Sequence, residues 1–510
     1  MKKTITLLAF CLIGTLSFAQ APAIQWQKCL GGTFSEGAKN IQPTSDGGYI
    51  VAGSTSSNDG DVTGNHGNGD AWVVKLSSTG SLQWQKALGG TGQDIASSIQ
   101  PTADGGCIVA GQTTSNDGDV TANHGGTDAW VVKLSSTGSL QWQKCLGGTS
   151  GDFAESIQPT LDGGYIMAGV TYSNDGDVTG INGNDDAWVV KLSATGTIVW
   201  QKTLGGTGVD DASSIQPTPD GGYILVGRTN STDGDVTWNH GNFDTWILKL
   251  SATGALVWQN ALGGTGEENA NIIQPTPDGG YIVGCFTGSN NGDVTGNHGG
   301  LDAWVVKISD MGVIEWQKTL GGTDTEDSFS IQPTTDGNYI VAGFTYSING
   351  DVTGNHGVYD AWVVKLSSTG SLKWQKCLGG TNGDVANSIQ PTPDGGFIVA
   401  GYTQSTNGDV TGNHGQDDAW VVKLGPELAT STFNNQALTL YPNPTNGLLQ
   451  LQTPNNTSFN KIIITDSTGK TVLEQMQNTT QVDVEQLASG LYIIKAFSGE
   501  EVFVNKFIKE

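Results

Sequence analysis

Two tryptophans return every 58 residues, and that period limits what this chain can fold into more than any other feature. The first stands at Trp26, Trp84, Trp142, Trp200, Trp258, Trp316 and Trp374, and the second at Trp72, Trp130, Trp188, Trp246, Trp304, Trp362 and Trp420. No insertion or deletion interrupts them. Such a period marks a repeat architecture in which each unit buries its apolar surface against the next. Every unit holds four apolar runs separated by turn chemistry. In the first unit, Ala38 to Thr44 meets Asp46-Gly47-Gly48 and returns as Tyr49 to Gly53. A polar loop, Ser54 to Gly69, leads to Ala71 to Leu76, and Ser77 to Gly80 turns the chain into Ser81 to Leu88. Asp-Gly-Gly and Ser-Thr-Gly are hairpin signals because glycine accepts positive φ. Four antiparallel strands in each of seven units predict an all-β, seven-bladed β-propeller over residues 20–424.

The phase of the repeat predicts how the ring closes. The chain enters on the last strand of a blade, Ile24 to Leu30, and the seventh unit ends after its third strand, Ala419 to Leu424. Pairing these two would remove two exposed sheet edges. The motifs Gly-Gly-Tyr-Ile-Val-Ala-Gly, Asp-Ala-Trp-Val-Val-Lys-Leu and Leu-Gly-Gly-Thr-Gly resemble the seven-bladed propeller repeat family of secreted bacterial proteins across residues 24–424. That resemblance implies a fold and no common reaction.

Residues 1–19 read as a signal peptide: Lys2 and Lys3, an apolar run from Leu7 to Leu16, then Ser17-Phe18-Ala19. No other apolar stretch approaches the length of a membrane span. Cys29, Cys107, Cys145, Cys285 and Cys377 include no Cys-x-x-Cys pair, which argues against a disulfide framework or a cysteine metal site. The net charge of −26 repels nucleic acid and anionic lipid and leaves neutral glycans, cations and basic proteins as partners.

After a linker at 425–435 the period stops, and seven short strand-like runs in residues 436–510 predict a small β-sandwich. Tyr441-Pro442-Asn443-Pro444, Asp466 with Gly469-Lys470, Leu487 to Tyr492 with Gly490 inside it, and the terminal Lys506 to Lys509 resemble the type A C-terminal sorting domain of the type IX secretion system. The resemblance implies passage of the outer membrane with the secretion machinery as partner. It also implies removal of the tail and a cargo that is released or attached to surface lipopolysaccharide.

In an up-and-down blade, the loop between strands two and three shares a face with the crossover between blades, so a ligand site is expected there. The crossover carries an acid in every unit: Glu36, Asp94, Asp152, Asp210, Glu268, Glu326 and Asp384. The long loop carries Asp59 and Asp61, Asp117 and Asp119, Asp175 and Asp177, Asp233 and Asp235; in the last three units the first of each pair becomes Asn. Alternating oxygens around glycine suit Ca²⁺, whereas Asx turns use the same residues without metal, and both readings stay open. The six histidines share one loop position and read as hydrogen-bonding residues. Two positions vary from blade to blade on this face and supply Phe286, Phe344 and Tyr402 at one and Phe243 and Tyr359 at the other. Trp238 is the one tryptophan outside the repeated set. Aromatics that break an otherwise uniform ring look like a recognition surface for glycan or a surface protein. A binding, adhesion or scaffold role is therefore expected. The competing classes are a glycan lyase or hydrolase, disfavoured because units this alike offer no unpaired acid, base or nucleophile, and a purely structural surface component.

Overall fold

The computed structural model describes residues 20–427, 438–453, 457–466, 470–476, 479–498 and 501–510. The expected signal peptide, most of the linker and Gly469 lie outside the described residues. The chain divides into two compact units, 1–427 and 428–510.

In the first unit each repeat forms a four-stranded antiparallel sheet in sequence order. The first blade runs Glu36–Pro43, Tyr49–Thr55, Asp70–Leu76 and Leu82–Leu88, from the innermost strand outward. The two middle strands are buried on nearly every residue because each blade is covered on both faces by its neighbours. The seventh blade takes its fourth strand from the other end of the chain. Ile24–Leu30 pairs antiparallel with Asp418–Leu424, matching Lys28 to Val421 and Leu30 to Ala419. Leu30, Ile398 and Ala400 share one apolar cluster with Tyr49, Val51 and Trp72 of the first blade, so the ring is closed.

The second tryptophan of each unit lies between blades. Trp188, Trp246 and Trp304 are completely buried, and the indole N–H of Trp246 donates to Gln259 Oε1 at 2.9 Å. The first tryptophan is on the outer strand and covers the neighbouring hairpin. Trp26 packs on Tyr49 at 6.0 Å between ring centroids and lies over Gly80, where a Cβ would sit 2.8 Å from the indole. The face with tight hairpins is latched by ion pairs. Lys75 Nζ reaches Asp46 Oδ2 at 2.9 Å, and the Thr44 hydroxyl and Lys75 together hold the Asp46 carboxyl down at about 2. All five described cysteines are buried free thiols.

The second unit is a sandwich. One sheet contains Thr439–Tyr441, Leu448–Gln452 and Gln481–Asp483; the other contains Lys461–Thr465, Thr471–Gln475, Gly490–Ser498 and Glu501–Lys509. Leu449, Val482, Phe459, Ile494 and Phe507 form its shared core.

Candidate functional site

The crossover acids, grouped with the loop acids in sequence, are not surface groups: Glu36 is 2% exposed and the other six 0%. Each is an anchor. Asp152 accepts the Gly148 N–H and the Ser173 hydroxyl, both at 2.8 Å, together with the Thr171 hydroxyl. Carboxylates take this position because three or four donors converge on it.

The first loop aspartate latches the crossover that approaches its blade. Asp117 Oδ1 accepts the Thr91 N–H at 2.8 Å and Oδ2 the Thr91 hydroxyl at 3.0 Å; Asp175 and Asp233 do the same to Thr149 and Thr207, and Asp59 takes the Thr33 N–H. In the last three blades asparagine supplies that oxygen, as Asn349 does to the Thr323 N–H. The second aspartate of each pair stands near a crossover glycine N–H, Asp61 and Asp119 at 3.4 Å, Asp177 at 3.3 Å and Asp235 at 3.2 Å. Among the described residues no three His, Cys, Asp or Glu side chains converge as a ready-made metal centre. The histidines cap the third strand: His66 Nδ1 lies 2.6 Å from Oδ2 of the buried Asp70, and the remaining five repeat the contact.

The varying aromatics separate into groups. Phe344, Tyr359 and Tyr402 come together on blades six and seven: Phe344 and Tyr359 lie 6.0 Å apart, and burial together with the neighbouring Tyr359 pushes the Tyr402 hydroxyl up. Two rings not singled out from sequence complete the group. Tyr346 lies 4.9 Å from Tyr359, and Phe329 lies 5.6 Å from Phe344. Tyr346, Ile348 and Val358 are exposed at 41%, 75% and 58% on the loop of blade six, at positions where the other units mostly carry polar residues or glycine. Reading the loop by columns could have found them, since three substitutions toward apolar fall in one unit. The remaining candidates stand elsewhere. Trp238, 64% exposed, donates its indole N–H to His240 Nε2 at 2.8 Å. Phe243 lies under the Arg228 guanidinium at 4.6 Å, which also binds Asp211 at 2.7 Å. Phe286 is half-buried opposite Asn269 and Ala303.

Below Tyr346 is a shallow pocket of about 480 Å³ bounded by Gly300, Thr323, Asp324 and Thr325. Phe329 also faces the central channel, a cavity of about 440 Å³ ringed by Gln42, Gln100, Gln158, Gln216, Gln274, Gln332 and Gln390. The innermost strand places one carboxamide from each blade there. Asp327 pairs with Phe344 across the sheet and accepts the Asn271 amide at 3.0 Å. Burial pushes its carboxyl up to about 7.

A carboxyl raised on folding stabilises the fold while protonated. Its contribution is complete below the ordinary aspartate range and is lost as pH rises through about 7. The gain in melting temperature of Asp327→Asn over the parent is expected to be larger at pH 8.5 than at pH 5, which calorimetry at the two pH values checks. Equal differences at both would exclude titration of this group.

In the second unit, the residues singled out from sequence hold strands together. Asn443 donates to Lys506 O at 3.1 Å and accepts the Ile508 N–H at 3.0 Å, just after Tyr441-Pro442 and before Pro444. Tyr492 stacks on Phe507 at 5.6 Å and donates its hydroxyl to Ala488 O at 2.8 Å, while Asp466 accepts the Lys470 N–H at 3.1 Å. The family model described as "Secretion system C-terminal sorting domain" matches residues 439–510. The tail is a secretion sorting domain. A sorting domain indicates export to the cell surface or extracellular space and interaction with the secretion machinery.

Regulatory protein FlaEY of Caulobacter vibrioides is 24% identical over 414 residues, covering 70% of this chain and 42% of that protein. The chain therefore spans less than half the length of this curated relative. Among solved structures, PorZ, a surface component of the type-IX secretion system of Porphyromonas gingivalis, is similar at TM-score 0.40 and 11% identity, covering 94% of this chain and 59% of that one. The Pan2 WD40 domain of Neurospora crassa gives 0.43 at 10% identity, covering 79% and 96%. YCF48 bound to D1 peptide gives 0.42 at 10% identity, covering 81% and 99%. The strand pairing and ring closure described above carry the fold assignment.

Proposed function

We propose that this exported propeller is a binding module whose recognition surface is the aromatic sector of blades six and seven, and that it takes a neutral saccharide. The observation that carries this reading is the five-ring cluster of Phe329, Phe344, Tyr346, Tyr359 and Tyr402, which breaks an otherwise uniform face. Sugar rings present C–H faces that pack on aromatic rings, while Thr323, Asp324 and Thr325 beside Tyr346 offer hydroxyl and carboxylate partners. An acidic chain favours an uncharged glycan over an anionic one. We read the site as binding rather than catalytic.

The test is a glycan array probed with the mature chain and with Tyr346→Ala, Tyr359→Ala and Trp238→Ala. The two tyrosine variants should lose about tenfold or more in affinity, as expected when an aromatic anchor is truncated, while Trp238→Ala retains it. An unchanged profile for both tyrosine variants would sink the assignment of the sector. A blank array with capture of a surface protein dependent on Tyr346 would replace the saccharide with a protein partner.

A further inference from the structure

Each junction between blades buries a pair of carboxylates, and one oxygen of nearly every pair has no partner. The first member is the aspartate that opens the third strand; the second is the crossover acid of the following blade. Asp128, Asp186, Asp244, Asp302, Asp360 and Asp418 are all 0% exposed, and Oδ1 of each makes no hydrogen bond. Their Oδ2 atoms are satisfied by the loop, for example by the His240 N–H at 2.9 Å and the His240 ring at 2.6 Å from Asp244. The unpartnered oxygen turns toward the neighbouring acid across a crossover glycine. A Cβ built on Gly205 would lie 2.8 Å from Asp186 Oδ1 and 2.7 Å from Asp210 Oδ2. On Gly263 it would lie 2.9 Å from Asp244 Oδ1 and 2.5 Å from Glu268 Oε2. Gly31 shows the same arrangement with Asp418 Oδ1 at 3.1 Å and Glu36 Oε2 at 2.5 Å. Any side chain at these glycines would collide with both carboxylates, so glycine is what lets the two buried acids approach each other.

Among the described residues no Lys or Arg bridges any of these six aspartates. At the third junction, Asn182 replaces the histidine and gives Asp186 only a backbone N–H at 2.9 Å. Two carboxylates buried side by side, one of them with an oxygen that accepts nothing, carry a free-energy cost that a bound cation would offset. Oxygen donors without nitrogen or sulfur suit a hard cation.

We propose that the junctions between blades are calcium sites, each held by the Oδ1 of a third-strand aspartate and the acid of the next crossover, with water completing the shell. This places the ion at residues other than the Asp-Gly-Asp loop pairs and does not depend on the saccharide reading. With only two carboxylates per site, affinity belongs in the weak extracellular range of about 10⁻⁴–10⁻³ M.

The experiment uses the mature chain freed of metal with EDTA and returned to buffer at pH 7.5. Calcium at about 10 mM should raise the melting temperature by on the order of 5–10 °C, because several sites bind only the folded state. Magnesium, which dehydrates reluctantly, should do less. Equilibrium dialysis with radiolabelled calcium should give about six ions per chain, one for each unpartnered oxygen. Asp186→Asn should remove one ion. Asp46→Asn, on the opposite face, should remove none and so controls for loose attraction to an acidic surface. If Asp186→Asn fails to fold, Asp210→Asn tests the same junction from its other side. No calcium shift, or equal loss of ions from Asp46→Asn and Asp186→Asn, would overturn the proposal. So would a melting temperature that rises on acidification without responding to calcium, which would mark a shared proton as the counter-charge.

Discussion

Deleting residues 20–30 is expected to turn a closed ring into an open one that self-associates, the largest effect of any small change in this protein. The segment completes the seventh blade, and its loss strips the ladder from Asp418–Leu424. It also removes Gln27, whose Oε1 accepts the Trp420 indole N–H at 2.8 Å, and Leu30, which is 4% exposed. Burying Leu30 alone contributes roughly 1.5–3 kcal/mol. Trp26 leaves with them and uncovers Tyr49 and Gly80 of the first blade. The edge of Asp418–Leu424 bared by the deletion is a template for another chain. Light scattering after size exclusion should show species larger than the parent, and a synthetic peptide of residues 22–33 added in trans should restore the parent's size by strand addition. A deleted chain that keeps the parent's size and melting temperature would show that closure does not rest on this strand.

Trp246→Ala is expected to cost about 3–5 kcal/mol, the range for truncating a large buried aromatic. Its indole is completely buried with Leu225 and Leu248 in the fourth blade's interface with the third. Removing it also leaves Gln259 Oε1 without its donor. Urea denaturation should shift to lower midpoint, and the loss should concentrate at that one interface because repeat units couple mainly to their neighbours. Trp238→Ala, at an exposed indole, should leave the midpoint within about 0.5 kcal/mol of the parent. Equal effects of the two would contradict the division between packing and surface tryptophans.

Those two tryptophans also show what the sequence can and cannot reveal. Trp246 declares itself because its equivalents recur in every unit, and recurrence at one period can only be satisfied by equivalent environments. The same logic yields the strand count and the closing strand. It fails where two structures use the same atoms. Asp59 and Asp61 read equally as turn residues or calcium ligands, because both arrangements place short-chain oxygens around a glycine. The carboxylate pairs escape for another reason: Asp186 and Asp210 lie on different blades, and each alone looks like the polar start of a strand. Tyr346 and Phe329 are each visible as a change within their own column, but that they join Phe344 and Tyr359 in one group appears only once two strands and a loop of one blade fold together.

The strand that closes the ring also sets a timetable. Its partner, Asp418–Leu424, lies nearly 400 residues later in the chain. A ribosome releases Ile24–Leu30 first and its partner near the end of the repeats, so each molecule spends most of its synthesis with the clasp made and nothing to fasten it to. Six complete blades can stack in the meantime, each on the one before. The last blade then arrives with its own outer edge bare and meets a strand that has been waiting since the beginning. Completion of the ring thereby reports completion of the repeats: a copy truncated before blade seven leaves Ile24–Leu30 without its partner, and an intact copy does not.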